Sequence, residues 1–503
     1  MRRETVLLRV LLVLLMLTLG TSLVQASTLT IMQNESPRAM DPANQAATYT
    51  GSILSHMYDT LLTVNPQGEV VPSLATGYTY SDDGLEWTFT LREGVVFHDG
   101  SPFNAECVKY TFERILNPEN ALVAFGRFNP IIDTVEVLDD YTVKFTLKAP
   151  YPAFALLLTI NQAAIMTPTA DEIVANRPVG TGPFTFVEYV SGDRVVMERF
   201  DDFWGPAPQV DRLVWRWSPE ESVMVMALQA GEIDVAVPLP PTHADVLAAS
   251  PGVKVFEAPG SAVFWLALNV TKEPLTDKRV RQALNYATDR QGLVDAVLWG
   301  HGTVAHSPLA PQYFGYDRTV AGYEYNLEKA RELLTEAGYP DGFTMSISVQ
   351  EAESKYAEVL QGMWREVGVN VIVDQLEHAL WSAKVFAPLE ENETMSVFAS
   401  WSSILDADLM LTPLFATRSF PPASANLGFF SNARLDEILD RARTIVDPEE
   451  RRELYAEAQR LINDEAAHVT LYYANTIFGV RDNVEGVWSQ PSGQINVRSA
   501  VKK

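Results

Sequence analysis

"LREGVVFHDGSPFNAECVKYTFERI", residues 91–115, sets a histidine beside an aspartate and follows them with the lone cysteine and two glutamates. Either these groups form a catalytic cluster or the stretch is scaffold. Val95-Val96-Phe97 ends a strand, Asp99-Gly100 is a tight-turn pair, and Asn104 stands where a helix cap is needed. Beyond it Val108, Thr111, Phe112 and Ile115 share one helical face, while Glu106, Lys109 and Glu113 point to solvent. Lys109 and Glu113, four apart, add only about 0.3 kcal/mol. Catalysis by His98 would need a nucleophile and a third group to orient the imidazole, and no local motif supplies them. Cys107 on the apolar side reads as a small buried hydrophobe. The stretch predicts a strand, a turn and a helix, and no chemistry.

The same grammar extends on both sides. "TLTIMQ" from Thr28 alternates and stops before Pro37, and "LEWTFTL", "TVEVL", "YTVKFTL", "DRVVMERF" and "LVWRW" follow as short strands split by turn signals. From about residue 270 helices alternate with strands. "LTDKRVRQALNYATDRQGLVDAVLWG" holds helical spacing, and "NLEKARELLTEAGYPDGF" is a helix stopped at Gly338. "FTMSISVQ", a helix through Trp364 and "VNVIVDQL" make a strand–helix–strand unit. Asp447 and Pro448 open a long helix as N-cap and first residue. The joint at Leu268-Asn269-Val270 runs straight from strand to helix, as a stiff hinge would.

Residues 1–26 read as a cleavable secretory signal peptide: Arg2-Arg3, an apolar run Val10–Leu19, and small residues before the cut after Ala26. No cysteine follows Ala26 to carry a lipid, and the sole cysteine excludes an intrachain disulfide. The formal charge is -26; the leader's three arginines and one glutamate carry +2, leaving -28 on the mature chain. Such a surface repels nucleic acid and anionic lipid. The expectation is a soluble monomer of the periplasm, with no nucleic-acid partner.

Signatures of serine hydrolases, zinc proteases, nucleotide-binding loops and thiol redox pairs are absent. His301 and His306 lie five apart without further metal ligands. No catalytic residue, metal or cofactor is expected. A secreted hydrolase with a dispersed active site remains the alternative from another class, and a sensory or chaperone role on the same scaffold stays open.

"SLATGYTYSDDGLEWTFTLREGVVFHDGSPFNAECVKYTFERI" closely resembles the signature of the extracellular solute-binding proteins of peptide, nickel and glutathione ATP-binding-cassette importers. The resemblance continues through "VGTGPFTFVEY" (179–189), "LNVTKEPLTDKRVRQALNYATDR" (268–290) and "KARELLTEAGYPDGF" (329–343). Residues 399–432 look most like the glutathione-binding branch, although Leu405-Asp406 stands where Thr-Gly is typical. The resemblance implies an α/β, two-lobed periplasmic-binding-protein fold with a hinge and an extra β-rich subdomain. The expected first lobe is 27–268 plus 473–503, with the subdomain at about 75–190; the second is 269–472. Chain crossings are expected near Asn269 and Tyr472-Tyr473.

A cleft gripping a peptide-like zwitterion needs carboxylates, donors and aromatic walls. The candidates are Asn34, Glu35 and Ser36 after the first strand, and Trp401, Ser402, Asp406 and Asp408 in the second lobe. The resemblance places amine capture on an aspartate of the Trp401 loop. Phe264 and Trp265 read as core, and Arg127 as a cation that could meet a carboxylate. The implied function is capture of glutathione, a di- or oligopeptide, or a nickel-chelate or opine, for delivery to membrane permease subunits.

Overall fold

The computed structural model describes residues 27–169, 174 and 176–503; the leader read at 1–26 lies outside them. Its spine is one antiparallel pair, Val253–Leu268 and His468–Arg481, whose pairing runs from Val253 opposite Arg481 to Ala267 opposite His468. An eleven-stranded sheet is built outward from this pair. On one side lie Ser396–Trp401, Thr344–Gln350 and Asn370–Leu376; on the other, Val235–Val237, Thr28–Gln33, Arg212–Trp217, Arg194–Arg199 and Phe184–Val190, while the short Thr303–Val304 pairs with His468–Arg481 off this path. Thr28–Gln33 is parallel to both of its neighbours. Thr344–Gln350 and Asn370–Leu376 are parallel through the helix Ser354–Arg365, the strand–helix–strand unit of the sequence.

The core divides along the spine. Ala258, Phe478 and Val480 join a cluster with Leu29, Ile31, Trp215 and Val235. Val263, Trp265, Ala267 and Tyr473 join one with Leu411, Phe415, Leu439 and Tyr455. Between them the ladder slips: Pro259 faces Asn475 and Val263 faces Tyr473, so Gly260, Ser261 and Ala262 lie opposite Ala474 alone. A Cβ on Gly260 would sit 2.2 Å from the Ala474 carbonyl oxygen, so only glycine permits this approach. Asn269 is buried in the second lobe, its amide donating to Thr394 O at 2.8 Å.

The subdomain is a separate antiparallel sheet, in the order Ala75–Tyr80, Glu86–Leu91, Thr142–Leu147, Ile132–Asp139. The helix Ala105–Leu116 packs on it, capped by Asn104 Oδ1, which accepts from Glu106 N at 3.1 Å. Phe112 meets Phe145 edge-to-face at 4.9 Å. Cys107 is buried and free.

The helical sequence after Leu275 is two helices, Lys278–Tyr286 and Arg290–Leu298, because Asp289 caps the second by accepting from Gly292 N at 2.9 Å. Leu327–Glu336 and Pro448–Asp464 start at Asn326 and Asp447, both accepting backbone N–H groups.

Candidate functional site

His98 has a structural task. Its Nδ1 accepts from Gly180 N at 3.3 Å and its Nε2 donates to Gly182 O at 2.9 Å, which fixes the neutral tautomer. Burial lowers its pKa, so the neutral form persists below the usual imidazole range. The staple holds 180–182 against the end of the helix Thr48–Leu54, where a Cβ on Gly180 would meet Met57 O at 2.1 Å. That positions Thr181, whose hydroxyl donates to Asp59 Oδ2 at 3.0 Å. Asp59 Oδ1 accepts from Arg498 Nη1 at 2.7 Å, and Trp204 Nε1 donates to Oδ2 at 2.9 Å.

Asp59 and Arg498 line a cavity of about 460 Å³. Its walls come from every part of the fold. The first lobe gives Gln45, Tyr58 and Thr60, the subdomain Arg127 and Asn161, the slipped segment of the spine Ser261, and the second lobe Ser402–Leu405. The C-terminal segment adds Trp488, Gln490–Ser492, Gln494 and Asn496. Asn161 Nδ2 donates to Gln494 Oε1 at 3.0 Å, tying subdomain to tail. Ser403 N donates to the Tyr313 hydroxyl at 2.9 Å, and Phe314 N to Leu405 O at 2.9 Å, which pins the 402–405 loop from below.

Of the sequence candidates, Ser402 lines the cavity. Trp401 is half-buried against the second-lobe core, one residue behind the wall. Asp406 is buried and receives Arg451 through two bonds of 2.9 and 2.7 Å, with Asp408 N donating to it at 3.0 Å. Asp408, also buried, accepts from Thr412 Oγ1 at 2.6 Å and has Arg443 Nε at 3.4 Å. Desolvation raises its pKa against the pull of Arg443. Both acids therefore sit behind the loop, neutralised by arginines from elsewhere. Glu35 pairs with Arg38 at 3.3 Å, Ser36 is exposed, and Asn34 is half-buried; none of the three is in the lining. Trp265 is buried, as read, and Phe264 stacks on Tyr472 at 4.6 Å.

Sequence reasoning passed over Gln45, Asp59, Asn161, Ser261 and Arg498, and named Arg127 without assigning it to the site. Ser261 sits where its strand slips and the others in loops or short helical turns, none of which has a periodicity by which to find them. Among the described residues no group of His, Cys, Asp or Glu is arranged to hold a metal ion, and no helix is long and apolar enough to cross a membrane.

Comparison with known proteins finds relatives over most of the chain. The chain is 34% identical over 462 residues to the glutathione-binding protein GsiB of Salmonella typhimurium, covering 90% of each. HbpA2 from Haemophilus parasuis superposes with a TM-score of 0.86 at 29% identity, over 95% of this chain and 100% of that one. A dipeptide-binding protein from Pseudoalteromonas sp. SM9913, in complex with Met-Leu, gives 0.77 at 26% identity over 95% and 100%. The first and third of these are named as binding proteins, and the two-lobed α/β expectation holds. The profile of the bacterial extracellular solute-binding proteins, family 5 (middle), matches residues 69–421, and the chain belongs to that family.

Proposed function

We propose that this chain is the exported, solute-capturing component of an ATP-binding-cassette importer, that it binds a short peptide-like solute between its lobes without altering it, and that it hands the solute to membrane permease subunits. The observation that carries the reading is the cavity itself, whose wall joins both lobes, the slipped segment and the tail. A solute touching all four has differential affinity for the closed arrangement, which is what drives closure. The crossings of this reading lie at 259–262 and 474, the first some way ahead of the Asn269 expected from sequence. At about 30 Å³ per water, 460 Å³ holds on the order of fifteen water-sized groups. That suits a di- or tripeptide and falls short of a long oligopeptide.

The contacts of this reading are Ser402 and Ser403 from the second lobe, Ser261 from the slipped segment, and Gln45, Asn161 and Arg127 from the first lobe and its subdomain. Trp401 backs the loop, and Asp406 and Asp408 hold its shape. The protein is monomeric and periplasmic after removal of residues 1–26. To test capture, purified protein is incubated with dipeptides and the tripeptide glutathione while melting temperature and peptide integrity are followed. Capture predicts intact peptide and a solute-dependent rise of roughly 3 kcal/mol in stability at a hundredfold excess over Kd. Peptide consumed over many turnovers would instead establish the hydrolase.

A further inference from the structure

The charge of the cavity wall does not match a site built around a solute's ammonium group. Its ionisable lining is Asp59, Arg127, Arg498 and the Tyr58 phenol. Asp59 is already engaged by Arg498, Thr181 and Trp204, with 1% of its side chain exposed. Arg498 in turn donates to the Ser55 and Tyr58 carbonyls as well as to Asp59. Arg127 is different. Among the described residues no carboxylate pairs with its guanidinium, and the residue lines the cavity from the short helix Phe125–Phe128 of the subdomain. The residue is exposed, and partial desolvation by the protein beside it lowers its pKa.

The acceptors available to an ammonium are neutral: serine and threonine hydroxyls, and the Gln45 amide oxygen, buried and without a partner. The acids of the second-lobe loop are taken, Asp406 by Arg451 and Asp408 by Thr412 and Arg443. The wall thus carries two guanidinium groups against one carboxylate, inside a chain of net charge -26. Resting on the capture reading above, we propose that the site selects its solute by a carboxylate received at Arg127 and does not require a free ammonium group. N-blocked peptides and N-acyl amino acids, net anions, then bind as well as their free counterparts. Arg127 supplies the paired donors that a carboxylate matches, and the Gln45 oxygen takes an N–H that an amide offers as readily as an amine does.

The test is calorimetric titration of the mature protein with Met-Leu in three forms: free, N-acetylated and C-amidated. Amidation is expected to weaken binding about tenfold or more, because the guanidinium is left facing a neutral group, whereas N-acetylation changes Kd by less than about threefold. Arg127→Gln should abolish the discrimination between free and amidated peptide, with the melting temperature of the solute-free protein unchanged. If N-acetylation costs tenfold and amidation little, anion selection is overturned while capture stands. If none of the three binds and neither other dipeptides nor glutathione raise the melting temperature, the capture reading beneath it falls instead.

Discussion

Asp406 and Asp408 illustrate how a carboxylate's role is decided by what reaches it first. In the sequence they are two acids on a loop next to a tryptophan; in the fold Arg451 and Arg443 have arrived from the helices Pro448–Asp464 and Ala433–Thr444. Nothing in the local pattern at 401–408 announces a partner more than thirty residues away. Asp406→Asn should destabilise the protein by about 3 kcal/mol or more, since it strands the Arg451 guanidinium in the core. Asp408→Asn should cost less, because burial already disfavours its charged form. Both variants should keep solute affinity within about twofold, a change near 0.4 kcal/mol. Urea denaturation and calorimetry measure the two effects separately, and a large loss of affinity without loss of stability would return these acids to the site. By contrast, what the sequence made legible was the inert character of His98: a histidine with no nucleophile near it became a staple.

Elements with their own start signals were legible. Asn104, Asn326 and Asp447 each cap a helix where a capping residue precedes an apolar stripe. Illegible were Glu221–Ala230 and Pro241–Ala248, helices within the half that reads as strands, the first carrying nearly unbroken apolar sequence. The segment 488–499 was equally opaque, because it docks by single side chains rather than by a periodic face. One of those docks is pH-sensitive. His56 Nε2 accepts from Val497 N at 3.0 Å, while its Nδ1 donates to Ser52 O at 2.7 Å. Burial, and then Arg498, lower its pKa to about 3. Its folded value lies below the unfolded one, so its stabilising contribution is complete above about pH 6.5 and is lost as pH falls toward 3. The loss is roughly 1.4 kcal/mol per pH unit within that window. Denaturation curves at pH 6, 5 and 4 should therefore be shallower in pH for His56→Gln by about one proton. Equal slopes would mean that the buried imidazole takes up its proton without cost.

At the scale of the molecule the two lobes share one sheet, and the slipped rung at 260–262 is its one interruption between Val253 and Leu268 apart from a bulge at Phe264. The bilobal plan was legible through the family resemblance, while the element grammar alone showed only a strand-rich half followed by a half in which helices alternate with strands. The site of the slip was not, since a strand of sixteen residues shows no break in composition where its partner jumps. If the lobes turn about this rung, small-angle scattering should show the radius of gyration falling on addition of a bound peptide. An unchanged profile at saturating peptide would mean that the solute enters a rigid box.

The tail's place in the cavity wall also sets an order of events. Arg498 clasps Asp59, and Gln494 reaches Asn161, so residues synthesised early wait for residues synthesised late. A nascent polypeptide, however well its earlier sheets have formed, has no receptacle until the stretch around 488–499 has threaded home. Occupancy by solute would then certify that folding has run to completion.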